Sequence, residues 1–106
     1  MFTTKSEDGY VQMVDGIQRK TLAHGAKNLM TEFKMKEGGA IPMHSHPHEQ
    51  IGYLVSGRIK FLLGSETIVC NPGDSWCFEG DVEHAAEILQ DAVIVEVFSP
   101  VREEYL

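Results

Sequence analysis

Apolar and polar side chains alternate with a period of two along much of this chain. No segment sustains the 3.6-residue apolar period that would predict an amphipathic helix. In Leu29-Met30-Thr31-Glu32-Phe33-Lys34-Met35, positions 29, 31, 33 and 35 fall on one face and Glu32 and Lys34 on the other, which predicts a half-buried strand. Residues 10–14 and 17–22 read as a hairpin joined at Asp15-Gly16, a pair suited to the positive φ angles of a tight two-residue turn. Further short strands are predicted over 50–56, 58–63, 66–70, 75–78, 84–89 and 92–99. Between them lie Ser56-Gly57, Gly64-Ser65, Asn71-Pro72-Gly73-Asp74 and Gln90-Asp91, all turn chemistry. Short strands punctuated this regularly predict an all-β sandwich or barrel, and with no repeat or linker residues 1–106 read as a single domain.

The chain has 106 residues with Lys plus Arg 9 and Asp plus Glu 16, a formal net charge of -7. Residues 1–53 carry 6 basic and 6 acidic side chains, so the whole excess lies in residues 54–106. This balance disfavours nucleic acid, which is bound by clustered Lys and Arg. Apolar runs such as Ala92 to Val95 are far shorter than the roughly 18 residues of a membrane span. The N-terminal residues lack the apolar stretch of a signal peptide, so the expected location is the cytoplasm. There Cys70 and Cys77 are expected as reduced, small hydrophobic strand residues.

Candidate chemistry starts at His44-Ser45-His46-Pro47-His48. Residues two apart on an extended chain point the same way, so His44 and His46 can present two imidazoles to one point. Nitrogen donors suit transition ions better than magnesium or calcium. Zinc, nickel, iron, manganese and copper all stay open. The wider spacing is more specific. Gly38, five residues, His44, one residue, His46, three residues, Gln50, six residues and Gly57 form one run. Gly73, ten residues and His84 form a second.

These two runs resemble the two motifs of the cupins, and the resemblance extends over essentially the whole chain. It implies a double-stranded β-helix, or jelly-roll barrel, holding one divalent metal ion on His44, His46, Gln50 and His84. The first motif usually has Glu where this chain has Gln50. The second usually has Pro, Gly and Asn where this chain has Glu79, Asp81 and Ile88. An amide oxygen can bind an ion without offsetting its charge, so a centre with neutral ligands would attract an anionic small molecule.

The segments His44-Ser-His-Pro-His-Glu-Gln-Ile-Gly-Tyr and Glu96-Val-Phe-Ser-Pro-Val-Arg-Glu-Glu-Tyr-Leu106 are similar to the small cupins of pectin and alginate breakdown. Those enzymes open 4,5-unsaturated uronic acids to linear keto sugar acids. The resemblance implies that Glu96, Phe98 and Arg102 complete the site, with Glu96 standing where that family typically has the shorter Asp. Arg102 would clamp the substrate carboxylate in two-pronged fashion. Glu96 would move a proton if burial raised its pKa.

Bland readings remain open for each. Glu96 faces solvent if Val95 and Val97 fill the core. Arg102 forms a surface pair with Glu103 or Glu104, Phe98 is plain core, and Gln50 caps a loop. His48 is one residue off the ligand spacing but could line the entrance and bond a sugar hydroxyl. His24 reads as an ordinary strand residue, and Tyr53 and Trp76 as packing residues that could also border a sugar pocket. Two other functions are compatible with the motifs: a redox cupin of the dioxygenase type and a non-catalytic ligand-binding module. From the resemblance a homodimer is expected.

Overall fold

The computed structural model describes residues 2–106. Strand β1 is Val11–Gln12, β2 Ile17–His24, β3 Leu29–Met35, β4 Ala40–His44, β5 Glu49–Leu63, β6 Glu66–Cys70, β7 Ser75–Phe78 and β8 His84–Ser99. A single turn of 3-10 helix, Glu103–Tyr105, follows. The alternation in β3 is realised as read: Leu29, Thr31, Phe33 and Met35 are buried and the residues between them face outward. At the β1–β2 hairpin only Gly16 takes a positive φ, +79°. The amide of Ile17 bonds the Val14 carbonyl and that of Met13 bonds Ile17, so the loop is one residue wider than a two-residue turn.

Two long strands organise the rest. β5 and β8 pair antiparallel from Glu49 opposite Ser99 to Leu62 opposite Ala85. The register shifts at Ser56 and Arg58, and there the two-strand ribbon turns a corner. Beyond the corner on one side, β3 flanks β8 over Ala92 to Phe98 and β7 flanks β5 over Gln50 to Tyr53. On the other side, β4 flanks β8 over His84 to Glu87 and β6 flanks β5 over Ile59 to Leu63. The result is two facing layers that share one ribbon, a jelly-roll barrel. Its interior is filled by Ile17, Phe33, Leu54, Ile59, Ile94 and Phe98.

The turns predicted at Ser56-Gly57 and Gln90-Asp91 are therefore bends within continuous strands. Gly57 sits at φ +89°, and a Cβ there would lie 2.2 Å from the Asp91 carbonyl oxygen and 2.5 Å from the Ala92 Cα. Backbone meets backbone at that point, which only glycine allows. β4, not predicted as a strand, pairs with β8 alone. Its register shifts between Ile41 and His44, around Pro42, which has no amide hydrogen to donate. That irregularity brings His44 opposite His84.

Gly38 and Gly57 have similar positive φ, but a Cβ on Gly38 would meet nothing within 4 Å. Gly38→Ala should therefore cost about 1–2 kcal/mol, the conformational penalty alone. Gly57→Ala adds a steric clash and should cost about 1–3 kcal/mol more. Urea unfolding of the two variants beside wild type checks the difference; equal losses would mean that the corner is not sterically set.

Candidate metal centre and its cavity

Three histidines from separate segments converge at one end of the barrel. His44 closes β4, His84 opens β8 and His46 lies in the connection to β5. Each can offer a nitrogen within 4.8 Å of the others. The rings of His44 and His84 are 4.3 Å apart, with His46 5.7 and 5.3 Å from them. His44 Nδ1 lies 2.9 Å from the Pro42 carbonyl and His84 Nδ1 2.9 Å from that of Val82. A carbonyl only accepts, so both Nδ1 atoms carry the proton and each Nε2 keeps its lone pair for an ion. Burial, reinforced by the positive charge of Arg102, holds His46 down to about 4, and burial also lowers His84. His46 thus stays neutral, the form that binds metal, well below neutral pH.

Gln50 is the candidate fourth donor. It is buried between Phe78 and Phe98 in the neighbouring strands, and its Nε2 donates to Glu96 Oε2 at 2.7 Å. Its Oε1 is buried without a partner, as are both ring nitrogens of His46. An unpaired buried polar atom costs about 1–3 kcal/mol, so these orphans fit an ion better than a dry core. Three imidazoles and one amide oxygen suit a divalent transition ion. The ring of His48 is tilted against that of His46, 5.6 Å between centroids, and stands outside the triad, while His24 is exposed.

Glu96 faces inward. It is 5% exposed, on the same face of β8 as Ile94 and Phe98, opposite Thr31 on β3 and Gly52 on β5. Val95 and Val97 occupy the other, half-buried face. Burial pushes the carboxyl pKa upward, against the opposing pull of hydrogen bonds from Trp76 and Gln50 and the charge of Arg102. Trp76 Nε1 donates to the same Oε2, at 2.8 Å. The tryptophan was expected to be a packing residue and is a direct partner of the carboxylate.

Arg102 does pair with Glu104, Nε to Oε1 at 2.7 Å, as the bland reading allowed. Its guanidinium also stacks 4.3 Å from the Tyr105 ring and 5.0 Å from Phe98, and among the described residues its terminal nitrogens have no hydrogen-bond partner. Tyr105, to which the sequence reading gives no role, is buried against Phe33 and Phe98 and holds the C-terminal turn over the barrel. Thr21 Oγ1 donates to its carbonyl. His44, Gln50, His84, Glu96, Phe98 and Arg102 line a cavity of about 230 Å³; the remaining wall is mainly apolar, and His46 lies outside the lining. That is below the usual ligand-pocket range of about 300–1,000 Å³, a size for a single small molecule and not an oligomer.

The cupin domain family matches residues 31–99. The solved structure of KdgF from Halomonas sp. is 31% identical and superposes with a TM-score of 0.93, covering 100% of both chains. An RmlC-like cupin from Shewanella frigidimarina is 23% identical, with a TM-score of 0.92 over 99% of this chain and 95% of that one. A predicted oxalate decarboxylase from Thermotoga maritima is 17% identical, with a TM-score of 0.81 over 94% of this chain and 99% of its own; both of these likenesses are of fold. No curated protein sequence matches the chain. With the histidines of both motifs brought together at one end of a jelly-roll barrel and the family matched across most of the sequence, the chain belongs to the cupins.

Proposed function

We propose that the protein is a metal-dependent enzyme that opens a 4,5-unsaturated uronic acid to its linear keto form. The observation that carries this reading is the meeting of a buried carboxylate, a partly free guanidinium and three of the four candidate donors, His44, Gln50 and His84, around one monosaccharide-sized cavity. The resemblance of the histidine and C-terminal segments to the uronate-opening cupins, and the likeness to KdgF, support it.

The residues divide the work by chemistry. Arg102, held by Glu104 and by stacking on Phe98 and Tyr105, can receive the substrate carboxylate on its terminal nitrogens. Phe98 gives the sugar a flat apolar wall. Glu96 takes the proton of the anomeric hydroxyl as the bond from that carbon to the ring oxygen breaks, leaving an aldehyde and an enolate. Glu96 then returns that proton to the carbon of the former double bond distal to the carboxylate, and the enolate becomes a ketone. Atoms balance without water or an oxidant, so the step is an isomerisation. When bound, a divalent ion on His44, His46, Gln50 and His84 would supply Lewis-acid polarisation of a substrate oxygen.

Metal analysis of the purified protein should find about one divalent ion per chain, and a His44→Ala, His84→Ala double variant should lose it. A wild-type protein that takes up no added metal would sink the enzyme reading.

Incubation with unsaturated uronate should bleach the ultraviolet absorbance of its conjugated double bond faster than buffer does. Glu96→Gln should lower kcat by about 100- to 10,000-fold, the usual worth of a general acid–base. Arg102→Ala should lower kcat/KM by about 10- to 100-fold, the worth of a charged hydrogen bond. Wild-type rates no greater than buffer exclude this substrate class.

Glu96 must be ionised to accept a proton, and burial raises its pKa. The rate should therefore fall on acidification within a range above the ordinary carboxylate value of about 4.3. A kcat/KM profile flat down to that value would remove Glu96 from the proton-transfer role.

A further inference from the structure

Trp76, Gly52 and Glu96 lie in one row across three strands. Gly52 on β5 is opposite Trp76 on β7 and opposite Glu96 on β8. Directly opposed residues of antiparallel strands project to the same face, but here two strand spacings of about 4.8 Å separate the tryptophan from the glutamate. The gap is closed because the middle residue has no side chain. A Cβ on Gly52 would lie 2.2 Å from both Cε2 and Nε1 of the indole, so the ring passes through the space that any other residue would fill. The indole also packs on Phe61, 4.7 Å between ring centroids.

The consequence lies in which oxygen is held. Both Trp76 Nε1 and Gln50 Nε2 donate to Oε2 of Glu96, at 2.8 and 2.7 Å. Neither group can accept, so Oε2 must serve both as an acceptor and cannot carry a proton while both bonds stand. Among the described residues Oε1 has no hydrogen-bond partner. We propose that Trp76, reaching across Gly52, is a positioning residue that locks Oε2 of Glu96 and so makes Oε1 the atom that takes and returns the substrate proton. The locking is a property of the fold; the proton transfer rests on the uronate reading.

Trp76→Phe keeps an aromatic ring against Phe61 and removes the N–H. Its kcat on unsaturated uronate should fall by about 10- to 100-fold, the scale of a misplaced catalytic group, with KM and metal content unchanged. Gly52→Ala drives a methyl into the indole and should give the same fall in kcat with the tryptophan still present. Should that variant not fold, Trp76→Phe decides alone. Trp76 is the sole tryptophan, so one indole signal reports it in a nitrogen–proton NMR correlation spectrum. Glu96→Gln should shift that signal upfield by replacing a charged acceptor with a neutral one. A wild-type kcat in Trp76→Phe, or a fall accompanied by loss of metal, overturns the positioning role. An indole signal indifferent to Glu96→Gln overturns the locking. If wild type has no uronate activity, the uronate reading falls and takes the proton-transfer half with it, while the indole signal still decides the locking.

Discussion

The pairing of β5 with β8 continues around a corner, and the candidate centre depends on that continuity. A ribbon that ended at Ser56-Gly57 would make two unconnected sheets. A ribbon that bends belongs to both layers, so Gln50 and Glu96 on one arm are held rigidly relative to His84 on the other. The bend requires two backbones to approach more closely than any side chain permits, and Gly57 meets that condition. The irregularity around Pro42 does similar work at the edge, setting His44 against the start of β8.

Inside the barrel, charge is arranged very differently from the chain as a whole. The formal charge of -7 suggests a protein that repels anions. Yet Glu79, Asp81, Glu83 and Glu87 are all exposed, and the charged residues lining the cavity are Glu96 and Arg102. The imidazoles of His46 and His84 are kept neutral by burial, and Gln50 adds a donor without a charge. Gln50 in turn suits its neighbour. A second carboxylate in its place, within hydrogen-bond distance of Glu96 Oε2, would force two like charges to share one buried site. The amide instead offers its N–H to Glu96 and keeps its oxygen free.

The positions that depart most from their expected roles are those whose function lies across strands. Trp76 reads as packing because a lone aromatic on a short strand usually is packing. Its hydrogen bond exists only through the register that aligns it with Gly52 and Glu96. Tyr105 lies in the C-terminal segment that carries the resemblance but has no role there, since what marks it is burial against Phe98 and against Phe33, which is far from it in the chain. The strand breaks placed at Gly57 and Gln90-Asp91 misread bulges as turns, because both use the same residue types and differ only in whether hydrogen bonding resumes beyond them.

Read alone, the sequence determined the all-β class, the alternation of β3 and the spacing that groups His44, His46, Gln50 and His84, because strand parity and motif spacing are local properties of the chain. Strand parity alone also puts Ile94, Glu96 and Phe98 on a common face. Which face of β8 turns inward was decided by the tertiary structure, since Val95 and Val97 would satisfy a core equally well and only the closure of the barrel breaks the tie. The same closure decided that Arg102, whose pair with Glu104 is local, also borders the cavity alongside Phe33 and Glu96, and that two donors meet on one oxygen of Glu96. Such contacts join residues tens of positions apart, and their geometry follows from register and curvature, which no local pattern encodes.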